Sequence, residues 1–369
     1  MSDNTGQFPC SNCGADLKYE PGQDALKCPY CGAENTIERD EQVEITENDY
    51  LSKLREMEEN LDSSETLDML SVRCDNCGAM VSLGENKTAG ECVFCGTHLS
   101  GQTQSVKEIA PQSLLPFKIG KKEAAENFKK WLKKRWFAPN KLKDYARMDG
   151  LKGIYSPYWT YDTETTTSYR GQRGDYYYTT ETYTEQVDGK TVTKTRQVRH
   201  TRWSFASGTV SNSFDDVLIC GSSNMLPQYT EALEPWDLEN LVPFKEDYLS
   251  GFQVESYSVD LEKGFDMAKG RMAPYIDSTI RRDIGGDEQR ISSKSSSYDD
   301  ITFKHILLPV WISAYKFKGK IYNFMVNART GEVQGNRPWS VVKILLAVLG
   351  FAALVAAGVL VYYYFKGNS

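Results

Sequence analysis

Histidine is scarce in this chain, with three among 369 residues. None has a cysteine, serine or carboxylate at a recognisable motif spacing, which leaves nucleophilic and general-base catalysis little to stand on. His98 follows Cys95 closely enough to substitute as a metal ligand, but with four cysteines at hand it reads as a surface residue. His200 sits among Arg196, Arg199 and Arg202, and His305 precedes an apolar strand. A P-loop is missing as well: Gly189-Lys190-Thr191 matches its end, but Thr184 stands where its first glycine is required, and phosphates would lack their backbone cradle. No secretory leader is recognisable, so the cysteines are expected in a reducing compartment and unpaired by disulfides. Positive charge is not in excess either, and the net charge of −7 argues against indiscriminate nucleic-acid binding.

What the chain does have is two copies of one cysteine spacing. Cys10, Cys13, Cys28 and Cys31 form C-x2-C-x14-C-x2-C, and Cys74, Cys77, Cys92 and Cys95 repeat it. Two short knuckles at this separation close a tetrahedron of thiolates around one Zn²⁺, so two zinc ions per chain are expected. Glycine follows each pair, at Gly14, Gly32, Gly78 and Gly96, as expected where a chelating turn needs positive φ. Both sites have four protein ligands and no open position, so they are expected to be structural. The ninth cysteine, Cys220, ends an apolar strand and reads as a small buried hydrophobe.

The second plain feature is the apolar run from Ile344 to Phe365, 22 uncharged residues that make about 33 Å of helix. Trp339 precedes it and Tyr362, Tyr363 and Tyr364 lie at its end, where aromatic residues seat at membrane interfaces. The run reads as a transmembrane tail anchor. Arg337 and Lys343 before it, Lys366 after it and the need for reduced thiolates place the soluble bulk in the cytoplasm.

The fold class that emerges is multi-domain: two N-terminal zinc ribbons, an α+β region with internal duplication, and one C-terminal transmembrane helix. The segments are ribbon 1 (1–37), an acidic helical linker (38–71), ribbon 2 (72–100), two α+β units (113–240 and 241–338) and the membrane helix (341–365). In the linker, Tyr50, Leu51, Leu54, Met57 and Leu61 recur at helical spacing after Asn48 or Asp49 as N-cap, and the stripe is expected to pack on a ribbon. A helix is expected from Lys121 to Phe137, with Ala124, Ala125, Phe128, Trp131 and Leu132 inward. Strands are expected over Ile154–Asp162, Tyr176–Val187, Lys190–Phe205 and Asp216–Cys220. The Asp188-Gly189 turn should make a hairpin, polar on both faces, that projects into solvent or against a partner. Gly285–Ser297, rich in Gly, Ser and charge, reads as a mobile loop. The duplication rests on LLPFK (114–118) echoed by LVPFK (241–245), and SPYWTYD (156–162) echoed by LPVWISAY (308–315), with a helix between each pair.

Two surfaces stand out. Lys121, Lys122, Lys129, Lys130, Lys133, Lys134 and Arg135 make a basic helix face that suits solvent, an anionic leaflet or protein partner, or nucleic-acid phosphates. Leu83, Val93 and Phe94, in or near the second ribbon's knuckles, are expected to be apolar tips for a protein partner, because the acidic excess between Glu38 and Asp68 would repel a phosphate backbone.

Each ribbon resembles those of transcription factor IIB and of the primosomal helicase PriA, although the helicase motor is missing. From the second ribbon onward, VRCDNCGA, CVFCGT, LLPFK, RWFAPN, GIYSPYWTYD, SYRGQRG, TRW, ASGTVSNSFDDVL, LEPWDL, RRDIGGDEQRI, FKHILLPVW and VNARTGEVQGNRPWS run from about residue 72 to 340. On these the chain resembles a bacterial family of double-zinc-ribbon, tail-anchored membrane proteins, the YdjG-like family. The resemblance implies a membrane adaptor in envelope stress, associated with phage-shock-protein-A-like or flotillin-like partners. The reading is a non-enzymatic scaffold; a membrane-tethered nucleic-acid binder and an enzyme in the α+β region are the alternatives.

Overall fold

The computed structural model describes residues 8–38, 45–59, 66–82, 90–99, 104–139, 150–187, 189–225, 227–317 and 320–367. Near the N-terminus, β1 (Lys18–Tyr19), β2 (Ala25–Lys27) and β3 (Glu34–Thr36) form the small sheet of the first four-cysteine module. Then come β4 (Asn48–Asp49) and α1 (Tyr50–Glu58). The second module follows with β5 (Thr66–Arg73), β6 (Met80–Ser82), the pair β7 (Gly90–Glu91) and β8 (His98–Leu99), and β9 (Gln104–Ile109). The larger region holds β10 (Ser113–Leu114), α2 (Lys121–Lys133), β11 (Lys152–Val187), β12 (Lys190–Cys220) and α3 (Pro227–Ala232). It continues through β13 (Val242–Pro243), β14 (Gln253–Glu255), α4 (Leu261–Ile284), β15 (Glu288–Phe317), β16 (Lys320–Asn327) and β17 (Val333–Gly335) to α5 (Val341–Gly367).

Two long antiparallel strands, β11 and β15, carry the architecture. At their inner ends both faces are buried, which is why KGIYSPYWTY and HILLPVWIS are apolar almost without alternation. Period-two geometry sends alternate side chains to opposite faces. Ile154, Tyr158, Ile306, Leu308, Val310 and Ile312 pack with the second four-cysteine module. Tyr155, Leu307 and Trp311 face the other way and pack with the first. The modules therefore sit on opposite faces of one strand pair. Module 2 is also stitched in at the edge, since β14 pairs with β11 and with β6, and β6 with β5.

The echoed words of the sequence lie beside one another. Leu114 pairs with Val242, and Ser156 with Leu308, so strands from both sides of residue 240 share one sheet.

Outward from the body the sheet narrows to a three-stranded stalk. A register shift interrupts both pairings of β11 near Asp162, where Asp216 and Asp300 take positive φ of 50° and 49°. Beyond it, α4 covers one face of the stalk. Its N-cap Asp260 accepts a bond from the Lys263 N–H at 2.8 Å. Its stripe of Leu261, Phe265, Ala268, Met272, Ile276, Ile280 and Ile284, at intervals of three and four, packs on Trp159, Tyr161, Tyr169, Val210 and Phe303. Gly264 allows the close approach: a Cβ there would lie 2.3 Å from the Tyr161 hydroxyl, which donates to the Leu261 carbonyl at 2.7 Å.

Three expectations need correction here. Gly285–Ser297 is not a loop. From Glu288 it is strand, with Ser293–Ser297 paired to Thr166–Arg170; a strand polar on both faces has no period-two hydrophobic signal. The four separate strand runs between 154 and 220 are two continuous strands of 36 and 31 residues. α1 packs on the stalk base and not on a ribbon, through Tyr50 and Leu54 while Leu51 and Met57 stay exposed; Tyr50 lies against Tyr161 and Phe265 at ring distances of 6.4 and 4.9 Å, because Asp49 and Asn48 bind the helix to β15. Asp49 is its N-cap, accepting from the Ser52 N–H at 2.7 Å; Leu61 lies outside the described residues.

Candidate metal centres and the surfaces around them

Each cysteine knuckle repeats the same backbone geometry. In the first, the Cys10 N–H donates to the Ala15 carbonyl at 2.8 Å and the Gly14 N–H returns to the Cys10 carbonyl at 2.8 Å. The pattern recurs at Cys28, Cys74 and Cys92. Closing so tight a turn requires positive φ at Gly14, Gly32, Gly78 and Gly96, which take 74°, 74°, 78° and 72°. A Cβ at any of them would meet nothing within 4 Å, so conformation and not space demands glycine.

The knuckles meet in pairs. Sγ atoms lie 3.5 Å apart for Cys10 and Cys31, Cys13 and Cys28, Cys74 and Cys95, and Cys77 and Cys92. A metal with bonds of about 2.3 Å to four sulfurs sets tetrahedron edges of about 3.8 Å, so each cluster fits one ion with little movement. Within each cluster all four sulfurs lie within 4.8 Å of one another, and all nine cysteines are free of disulfides. Backbone N–H groups of Cys31 and Tyr30 pull the Cys28 thiol down to about 6, while the hydrogen-bonded Cys13 thiol is pushed up to about 12, as expected where neighbouring thiols share a proton. His98 is exposed and belongs to neither cluster.

The expected docking tips are not displayed. Val93 and Phe94 are 2% and 3% exposed and sit in the core that joins module 2 to the strand pair, so they cannot meet a partner in this fold. Leu83 lies outside the described residues. The position equivalent to Phe94 in module 1 is Tyr30, and it is 83% exposed. Six of the seven basic residues lie along α2 and its C-cap, where Lys121, Lys122, Lys129, Lys130, Lys133 and Lys134 are exposed; Arg135 follows the cap, half-buried over the Trp131 ring at 4.8 Å. Ala124, Ala125, Phe128 and Leu132 form the buried side, and Phe128 stacks on Phe324.

A buried polar junction escaped the sequence reading. Glu255 on β14 accepts from Ser156 at 2.9 Å, Ser222 at 2.5 Å and Asn224 at 2.9 Å, and Ser71 bonds Ser256 at 2.8 Å. With Glu108 and His305 it lines a cavity of about 20 Å³, room for one water. Burial pushes both carboxyls up to about 7 and the imidazole down to about 4. His305 Nδ1 donates to the Ile109 carbonyl at 2.7 Å, leaving Nε2 as a buried acceptor. Its hydrogen bonds join module 2 to the body. No sequence motif marks it, since its members come from six separate strands and loops. An acidic trio, Glu47, Asp162 and Asp215, is neutralised in part by the Lys304 ammonium, 2.7 Å from Glu47; the same ammonium lies 2.9 Å from the neighbouring Asp216.

Farthest from the modules, β11 and β12 run on beyond the stalk as a two-stranded arm, 175–202. It spans thirteen residues of β11, or about 43 Å. None of its described side chains is buried. Arg196 faces Glu181 at 3.0 Å, Lys194 meets Glu185 at 2.7 Å, and Arg199 and Arg202 lie over Tyr176 and Tyr177 at 4.3 and 5.4 Å. At the other end of the chain, α5 includes 24 residues, Val341–Tyr364, of mean hydropathy 2.8 with none of its apolar window buried; it is long and apolar enough to cross a membrane.

The chain is similar to YdjG. That uncharacterized protein of Bacillus subtilis (strain 168) is 26% identical over 354 residues, covering 94% of each chain. No family model and no solved structure matches.

Proposed function

We propose that this protein is a non-enzymatic, tail-anchored membrane adaptor of the YdjG-like kind: α5 crosses the bilayer, each four-cysteine module holds one structural Zn²⁺, and the body faces the cytoplasm and binds protein. Thiolates that must stay reduced for zinc support the cytoplasmic side. The α+β region reads as two related units, supported by the register that pairs Leu114 with Val242 and Ser156 with Leu308.

The observation that carries the reading is the arm. A two-stranded ribbon with no apolar face gains little from protruding alone, and its long exposed edges offer strand pairing together with tyrosine and arginine side chains, a composition suited to protein recognition. Its cations are largely engaged: Arg196 and Lys194 have carboxylates, and Arg199 and Arg202 have tyrosine rings. That pairing disfavours a phosphate backbone as the partner. By resemblance, the partner is a phage-shock-protein-A-like or flotillin-like protein.

The test is photocrosslinking in native membranes from position 178, followed by reconstitution with the purified candidate partner. The adaptor reading expects one dominant protein adduct, reproduced with the purified partner and lost when residues 176–201 are replaced by a two-residue turn. Full capture of the same partner by the armless protein, or binding of bare DNA at nanomolar Kd and physiological salt, would overturn it.

A further inference from the structure

The link between α2 and α5 fixes where the membrane surface must lie. The Ser340 N–H donates to the Phe137 carbonyl at 2.8 Å, and Lys343 Nζ reaches the carbonyls of Trp136 and Ala138 at 3.0 and 2.8 Å. Phe137 and Trp339 lie 6.3 Å apart, and the Arg337 guanidinium stands 4.6 Å from the Trp339 ring. The turn that ends α2 is thus pinned to the first turn of α5. Lys343 is the last charge before the apolar run, so a bilayer entered by α5 begins within about one helical turn of Trp136.

What α2 presents at that level suits the surface of a leaflet. Trp136 is 79% exposed and Trp339 59%, two indoles at the depth where tryptophan is favoured in membrane proteins. Lys129, Lys130, Lys133 and Lys134 are exposed in the last turns of the helix, and none has a carboxylate in ion-pair range among the described residues. The acidic residues of the helix, Glu123 and Glu126, lie in its first half. Its opposite side is buried on β16, so the lysines cannot turn inward.

We propose that the C-terminal half of α2, with Lys129, Lys130, Lys133, Lys134 and Trp136, is a second membrane contact that rests on a leaflet containing anionic phospholipid and holds the body against the bilayer. It depends on α5 crossing the membrane. Basic residues within a Debye length of such a leaflet are attracted by its surface potential, and the pinned turn keeps them there without a flexible linker. Lys121 and Lys122, about 18 Å back along the helix, are not part of this contact.

Lysine acylation of the full-length protein in lipid nanodiscs, read by mass spectrometry, tests this directly. In discs of phosphatidylcholine with 30% phosphatidylglycerol, labelling of Lys129, Lys130, Lys133 and Lys134 should be at least about threefold slower than in pure phosphatidylcholine, and 0.5 M NaCl should remove most of the difference. Lys190 on the arm should label equally in both. Lys133→Glu with Lys134→Glu, both on the surface, should abolish the protection of Lys129 and Lys130 while the protein still enters discs. Equal labelling in the two lipids, with the protein incorporated, would overturn this contact alone; failure to enter discs of either kind would overturn the anchor and the contact together.

Discussion

The two four-cysteine modules share a spacing, a knuckle geometry and sulfur separations of 3.5 Å, yet they meet the rest of the molecule in opposite ways. Module 2 turns its second knuckle inward, where Phe94 is 3% exposed, and its strands join the main sheet. Module 1 docks by its small sheet: Leu17, Tyr19 and Leu26 pack near Phe117 and Tyr248, and the Gly22 N–H donates to the Phe117 carbonyl at 2.8 Å. Its knuckle with Tyr30 stays in solvent. Metal-binding geometry is local and follows from spacing; the surface a module buries is decided by its neighbours.

The largest expected asymmetry comes from removing metal ligands. A structural metal contributes on the order of 10 kcal/mol to its module. Cys74→Ser with Cys77→Ser should therefore disrupt β5 and β6 and lower the melting temperature of the whole body, followed by circular dichroism. Cys10→Ser with Cys13→Ser should lose one metal equivalent while the main sheet melts close to the wild-type temperature. Equal losses would break the comparison.

Packing should sharpen it. Phe94→Ala removes a buried ring from the joint between module 2 and the strand pair and should cost about 3–5 kcal/mol in denaturant unfolding. Tyr30→Ala, at the matching position, should stay within about 0.5 kcal/mol. A large effect at Tyr30 would mean that its knuckle is covered in solution.

A smaller effect belongs to the junction behind module 2. Glu108 and Glu255 titrate near 4.5 when unfolded and near 7 when folded, so the folded protein retains protons that the unfolded chain has lost, and stability falls as pH rises across that window. His305, lowered from 6.5 to about 4, acts in the opposite sense: its contribution is lost as pH falls from 6.5 towards 4. Glu108→Gln with Glu255→Gln removes the first slope and keeps the second. Relative to wild type, the double variant should be more stable at pH 8 than at pH 5, by on the order of 1–3 kcal/mol. An unchanged pH profile would show that neither carboxyl is shifted.

Features set by neighbouring residues were legible in the sequence: the eight clustered cysteines and their glycines, the apolar run of α5, the Asp49 cap, the buried side of α2, and the turn that pairs Val187 with Lys190. Features set by distant pairing were not. Glu288–Ser297 lacks any hydrophobic rhythm because much of its side-chain surface faces solvent, and only its pairing with β11 makes it a strand. Knuckle residues such as Val93 and Phe94 are often exposed tips; here they belong to a core shared with residues far away in sequence, Leu218 and Ile306 among them. Glu255 gave no signal, since its hydrogen-bond donors come from residues 156, 222 and 224.

The most direct test of two alike centres in unlike settings is the release of metal to a chelator, followed with a colorimetric zinc indicator on the full-length protein in detergent. The account predicts two equivalents per chain leaving in two phases, with one fast equivalent from the solvent-facing centre that disappears in the Cys10→Ser, Cys13→Ser variant. A single equivalent, or two leaving together at one rate that the variant does not change, would contradict it.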